Sequence, residues 1–119
     1  MKLLYVDDSP EELNLMTRLF AGNPSIKFHT KQRLHNAIDD HAPELDCVFL
    51  DVMRPDSFSL QDDMDTIRRI SPAPVVFVTG GDANKLRGEA VESGADGLLE
   101  KKSLSPALMV QTASNAKLR

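Results

Sequence analysis

The sequence predicts an α/β domain, a doubly wound five-stranded parallel sheet in the order 2-1-3-4-5. Three observations lead there. Short apolar runs alternate along the 119 residues with stretches of helical periodicity. Three of those runs, Leu3–Val6, Cys47–Leu50 and Val75–Val78, are apolar throughout, as strands sandwiched between two helical layers must be. Finally, the residues that end four of the runs are chemically distinctive: Asp7 and Asp8, Asp51, Thr79 and Lys101. In an open α/β sheet ligands bind outside the carboxyl ends of the strands, so these side chains are expected on one rim.

Lys2 to Val6 is the first strand. Ser9-Pro10-Glu11-Glu12 then opens a helix: Ser9 caps it, Pro10 takes the first helical position, and Glu12 can reach back to close a capping box. Leu13, Met16 and Phe20 repeat at helical spacing, and Gly22-Asn23-Pro24 ends the element. Ile26 to Thr30 reads as the second strand, with Ile26 and Phe28 on one face. A second helix, from about Gln32 to His41, turns Leu34, Ala37 and Ile38 inward and stops at Pro43.

Asp46 to Leu50 is the third strand, leading into Asp51. Val52 to Ser59 has no periodicity and contains Pro55, so it is a loop. Leu60, Met64, Ile67 and Ile70 mark the third helix, stopped before Ser71-Pro72. Val75 to Val78 is the fourth strand, broken by Gly80-Gly81-Asp82. A helix from Ala83 to Ser93 follows; Gly88 within it costs about 1 kcal/mol relative to alanine, so it is expected to be the least stable of five. Gly94-Ala95-Asp96-Gly97 turns into the fifth strand, Leu98 to Glu100. Ser105-Pro106 opens the last helix, with Leu104 and Met109 placed as a hydrophobic staple.

Composition narrows the class. A formal net charge of −4, with no basic cluster beyond Lys101-Lys102, gives no footprint for nucleic acid. Met1-Lys2 precedes only four apolar residues, too few for a signal peptide or a spanning helix. A cytoplasmic, monomeric protein without membrane contact is therefore expected, a single domain over 1–119 with no output domain attached. Cys47, alone and inside a strand, reads as a buried structural thiol. His29, His35 and His41 fall on the second strand and second helix, away from the acids, at spacings that match no metal site.

The order 2-1-3-4-5 sets the first and third strands side by side, crowding Asp7, Asp8 and Asp51 into one crevice. Carboxylates so placed repel unless a cation joins them, and Mg²⁺ favours hard oxygen ligands while keeping several waters. Asp8 and Asp51 are expected as direct ligands, with Asp7 acting through water. The backbone carbonyl of Met53, two residues past Asp51, is a further candidate. Taken singly, each residue has a bland reading: a turn acid, a helix cap, a β-branched strand residue, a solvated lysine. Only their joint placement at successive strand ends suits Mg²⁺-assisted phosphoryl transfer to a carboxylate.

With Val6-Asp7-Asp8, Phe49-Leu50-Asp51-Val52-Met53 followed by Pro55, Thr79-Gly80, and Lys101 after Gly94-Ala95-Asp96, the chain resembles the receiver domain of bacterial two-component response regulators over essentially its whole length. The resemblance implies a flavodoxin-like (βα)5 fold. It implies a signalling phosphoacceptor rather than a conventional enzyme, one that catalyses only its own phosphorylation and dephosphorylation. Asp51 would take a phosphoryl group from a phosphohistidine on a sensor histidine kinase or phosphotransfer protein. Asp8, Asp51 and the Met53 carbonyl would bind Mg²⁺, Thr79 would hydrogen-bond one phosphoryl oxygen, and Lys101 would pair with another. The backbone N–H groups of Val52 and Gly80 are suitable further donors to the phosphoryl group. A downstream protein target would read the result.

Four departures from the family pattern stand out. Lys102 replaces the proline that usually follows the lysine through a cis bond; a non-proline cis bond costs about 2.5–4 kcal/mol, and the sequence leaves open whether Lys101-Lys102 is cis or trans. Leu98 stands where a switching tyrosine or phenylalanine is usual, and Arg54 where an apolar residue is common. Gly80-Gly81 frees the backbone after Thr79. The run Pro74 to Gly81 also resembles stand-alone receivers with a Phe-Ala-Thr-Gly-Gly-Tyr-like stretch, although Asp82 takes the tyrosine's place. Two alternatives stay open: an interaction module that has the fold but is never phosphorylated, and a Mg²⁺-dependent phosphoesterase.

Overall fold

The structure, a computed structural model, describes residues 1–34, 44–55, 57–69 and 71–118. Its strands are β1 (Lys2–Val6), β2 (Lys27–Lys31), β3 (Cys47–Asp51), β4 (Val75–Thr79) and β5 (Gly97–Glu100). They form one parallel sheet in the expected order β2-β1-β3-β4-β5. The described helices are α1 (Pro10–Phe20), α2 (Leu60–Arg68), α3 (Ala83–Ser93) and α4 (Pro106–Lys117). The helix expected from Gln32 to His41 lies largely outside the described residues. So do His35, Ala37, Ile38, His41, Pro43 and Ile70.

Alternation along each strand divides the core between the two faces of the sheet. Leu3, Tyr5, Cys47, Phe49, Val76 and Val78 face α1 and α4, meeting Leu13, Met16, Phe20, Met109 and Ala113. Leu4, Val6, Val48, Leu50, Val75 and Phe77 face α2 and α3, meeting Leu60, Met64, Ile67 and Ala90. Every residue of β3 and β4 is buried, which accounts for the apolar runs Cys47–Leu50 and Val75–Val78 that precede their polar ends. Cys47 is buried among them, and burial pushes its thiol up to about 12. Ile26 and Phe28 pack on one face as expected, and Phe28 stacks on Phe20 at 4.2 Å between ring centroids.

Helix ends follow the local chemistry. Ser9, Ser59, Asp82 and Ser105 each accept an N–H of the first turn through the side chain, from Glu12, Asp62, Asn84 and Leu108 respectively. Pro10 and Pro106 occupy first-turn positions where no N–H is needed. Leu104 packs in the same cluster as Met109, as the staple requires. Gly94 closes α3 at φ +89°, with the Ala95 N–H returning 3.1 Å to the Ala90 carbonyl. The capping box at α1 is altered. Instead of pairing with Glu12, the Ser9 N–H donates to Asp7 Oδ1 at 3.0 Å, because that carboxylate lies nearer to the cap.

Strand boundaries differ from the sequence expectation by one residue. β2 and β3 are each shifted one residue on, so that β3 ends in Asp51, β4 extends to include Thr79, and β5 begins at Gly97. The reason is pairing: Asp51 is registered against Val78, and Thr79 against Glu100, so polar ends stay in the ladder. No peptide bond among the described residues is cis, so Lys101-Lys102 is trans and leads into a short 3-10 turn, Lys101–Ser103.

Candidate functional site

Register brings the acids together. Val6 pairs with Leu50, so the next residues, Asp7 and Asp51, emerge side by side from β1 and β3. One carboxylate oxygen from each of Asp7, Asp8 and Asp51 can be chosen so that all lie within 4.8 Å of one another. Asp7 and Asp51 are buried, and Asp8 is exposed. From the end of β5, Lys101 sends its Nζ to 2.9 Å from Asp7 Oδ2 and 3.3 Å from Asp51 Oδ2. Lys101 thus joins Asp7 and Asp51, and with Asp8 beside them the cluster sets three carboxyl groups against one ammonium.

Each carboxylate is held by a defined set of donors. Tyr5 lies two residues before Asp7 and so on the same face of β1; its hydroxyl donates to Asp7 Oδ2 at 2.8 Å. Burial raises the Asp7 carboxyl, but the Ser9 N–H, the Lys101 ammonium and the Tyr5 hydroxyl outweigh it and hold Asp7 below the usual carboxylate range. Asp51 goes the other way. Burial pushes it up and the Asp7 charge adds to that, more than the Met53 N–H and Lys101 offset. For Lys101, burial favours the neutral amine, but the Asp7 and Asp51 contacts prevail and its pKa is raised. Burial and then Asp7 push the Tyr5 hydroxyl upward as well, so it acts as a neutral donor.

The amide groups near Asp51 are engaged differently from one another. The Val52 N–H, expected to face a bound anion, donates instead to the Val78 carbonyl at 3.0 Å and continues the β3–β4 ladder. The N–H that faces the carboxylate is that of Met53, 3.0 Å from Asp51 Oδ1. Met53 itself is exposed on the loop. On the other side, Thr79 is buried at the end of β4, and its hydroxyl accepts the Gly81 N–H at 3.1 Å. Gly80, Gly81, Asp82, Glu100, Lys101 and Lys102 line an open cleft of about 410 Å³ beside the lysine.

Four other residues shape the site. Tyr5 was legible from period two on β1. Arg54, noted in the sequence only as a departure, is buried and donates through Nη1 to the Asp51 carbonyl at 2.7 Å. Its Nη2 lies 3.0 Å from Asp63 Oδ1. Asp63 occupies the apolar stripe of α2 between Leu60 and Ile67, an acid at a core position that signals a buried partner. Glu100 accepts the Ala83 N–H at 3.0 Å and so ties the start of α3 to the strand that carries Lys101.

His29 lies on β2, paired in register with Leu4, away from the acids as expected. Among the described residues no helix is long and apolar enough to cross a membrane.

Comparison with known proteins adds a family assignment. The model of the family described as the response regulator receiver domain matches residues 3–113. Among solved structures, a two-component response regulator from Clostridium difficile is similar with a TM-score of 0.79 and 20% identity, over 100% of this chain and 97% of that one. The receiver domain of the Francisella response regulator 1452 gives 0.78 and 21%, over 98% and 97%. The receiver domain of the putative response regulator NarL from Mycobacterium tuberculosis gives 0.76 and 21%, over 99% and 97%. At such identities the structural likeness speaks to the fold. No curated protein sequence matches the chain significantly.

Proposed function

This chain belongs to the response regulator receiver domain family, and on that premise we propose that Asp51 is its phosphoacceptor, in a Mg²⁺-dependent transfer from a phosphohistidine. Receiver domains work with histidine kinases or phosphotransfer proteins in two-component phosphorelays, so the donor is one of these. We read the chain as a receiver that passes the signal on by binding a protein target or by relaying the phosphoryl group. The observation that carries the reading is the buried Asp51 carboxylate, flanked by two more acids and by Lys101.

The donor set fits a divalent cation: hard carboxylate oxygens in reach of one another, three carboxyl groups against the single ammonium of Lys101. Asp8, Asp51 and the Met53 carbonyl would hold Mg²⁺ directly and Asp7 would hold it through water. Bound there, the ion would supply positive charge to offset the negative charge on the oxygens of the transferred phosphoryl group.

The remaining work falls to the chain. An Asp51 carboxylate oxygen attacks phosphorus, the P–N bond to the donor imidazole breaks, and an acyl phosphate forms as the imidazole leaves with a proton from water. Phosphoryl transfer asks mainly for positioning and charge. Lys101, already between Asp7 and Asp51, turns to a phosphoryl oxygen. The Thr79 hydroxyl accepts from Gly81 and so has its proton to donate to another. The Met53 N–H, aimed at Asp51 Oδ1, is placed to donate as well, and Gly80 supplies a second amide. New acceptor oxygens on Asp51 would draw Thr79 and the β4–α3 loop inward, which is the switch.

Incubation with Mg²⁺ and a small phosphodonor, read by intact mass, tests the reading. One phosphoryl group on the wild type and none on Asp51→Asn is the expected outcome; equal labelling of the two rejects Asp51. A second reading, an unphosphorylated interaction module, draws support from Leu98 and Lys102 in place of the usual switch residues. Mg²⁺ titration by NMR separates the two, because that reading requires no shifts near Asp8 and Asp51.

A further inference from the structure

Arg54 is a costly residue for its location. Its side chain is 0% exposed and that of its partner Asp63 is 4% exposed. A buried ion pair recovers little more than its own desolvation cost, and apolar residues of similar volume often serve stability as well or better. Its value therefore lies in what it holds.

What it holds is the peptide joining Asp51 to Val52. The carbonyl edge of that planar unit accepts Arg54 Nη1 at 2.7 Å, and the N–H edge donates to Val78 at 3.0 Å. With both edges pinned, the plane cannot rotate, and the direction in which the chain leaves toward Met53 is set. The guanidinium is anchored in turn: Nη2 meets Asp63 Oδ1 at 3.0 Å in the first turns of α2, and Asp63 Oδ2 accepts the Ser57 hydroxyl at 2.7 Å. The Ser57 N–H returns to the Arg54 carbonyl at 3.1 Å, closing the loop on itself.

We propose that Arg54 is a positioning residue for the Asp51 reaction, a clamp that with Asp63 ties the β3–α2 loop to α2 so that the Asp51 carboxylate and the Met53 amide and carbonyl converge on the acid cluster. The inference rests on the phosphoacceptor reading above and goes beyond it, since Arg54 acts through the Asp51 backbone carbonyl and Asp63. A lysine at this position has a single ammonium and cannot reproduce the fork between a carbonyl and a carboxylate.

Arg54→Leu alone strands Asp63 as an unpaired buried charge, so the informative variant is the double substitution Arg54→Leu with Asp63→Leu, accompanied by Arg54→Lys. Thermal melting is expected to place the double variant within a few degrees of wild type. Its phosphorylation by a small phosphodonor should slow by about 10- to 100-fold, with a higher Mg²⁺ concentration for half-maximal rate, as misplacement of reacting groups by an ångström does. Amide hydrogen exchange at Met53 in metal-free protein should accelerate in both variants. Wild-type rate, Mg²⁺ dependence and Met53 exchange in the double variant would reduce the pair to a structural one and overturn the proposal. A wild-type protein that accepts no phosphoryl group would sink the phosphoacceptor reading instead, and the Met53 exchange rates would still decide whether Arg54 holds the loop.

Discussion

Replacing Lys101 with methionine should weaken the metal-free protein while making it more responsive to Mg²⁺. The ammonium joins two buried carboxylates, at 2.9 Å and 3.3 Å. Charge-assisted hydrogen bonds of this kind contribute roughly 1.5–3 kcal/mol each. Against that stand the regained freedom of a long side chain, about 2 kcal/mol, and the relief of the ammonium's own desolvation. The loss is also limited, because burial and the Asp7 charge raise the Asp51 pKa and removing the ammonium raises it further, easing the cost of the unpaired carboxyl. A net cost of about 2 kcal/mol is expected near neutral pH. For 119 residues, at about 2.1 cal/mol/K of unfolding entropy per residue, that lowers Tm by about 8 °C. Melting followed by circular dichroism, with and without millimolar MgCl₂, measures both halves of the claim. Mg²⁺ should raise the Tm of Lys101→Met by more than that of wild type, since the ion no longer competes with a resident cation. A variant that melts with wild type in the absence of metal, or that gains no more from Mg²⁺, would refute the charge accounting.

Three other expectations follow from the same structure. Because the folded Asp51 pKa is raised, the folded state binds its proton more tightly than the unfolded chain does; that contribution is complete at low pH and lost as pH rises through the folded value. Asp51→Asn should therefore melt higher than wild type in metal-free buffer near pH 7, and a lower melting point would contradict this. Asp46 behaves oppositely: the hydrogen bond from Lys117, then that from the Lys2 N–H, depress its pKa, so its contribution is present above the ordinary carboxylate pKa and disappears as pH falls through the folded value. Denaturant titrations below about pH 4 should show a shallower pH dependence for Asp46→Asn than for wild type, and equal slopes would remove Asp46 from the account. The β4–α3 segment, with Gly80, Gly81 and Gly88, should show μs–ms exchange in NMR relaxation dispersion before phosphorylation, and flat profiles there would exclude a pre-existing switch equilibrium.

Much of the site was legible because it is built from strand ends. Asp7, Asp51, Thr79 and Lys101 each follow a run whose apolar character is local and whose direction is shared, so a parallel sheet had to collect them on one rim. Tyr5 was within reach of the same logic, two residues before Asp7 on the same face. The partners of the amides after Asp51 were not legible in the sequence, for a physical reason. Whether Val52 or Met53 presents its N–H to Asp51 depends on where the β3–β4 ladder stops, and that is decided by the Val78 carbonyl on another strand. The capping box failed similarly, since Glu12 was the only local acid at the right spacing while Asp7 arrives from the end of β1.

Sequence by itself determined the alternation of strands and helices, the helix caps at Ser9 and Ser105, the two-faced core and the identity of the acids, because all of these follow from periodicity and from hydrogen bonds between near neighbours. Tertiary structure alone decided which carboxylate is depressed and which raised, which amide faces Asp51, and that Arg54 turns inward to Asp63 rather than outward to water. Those outcomes depend on burial and on partners far apart in the chain: a charge's surroundings, unlike its spacing, exist only once the sheet has closed over it.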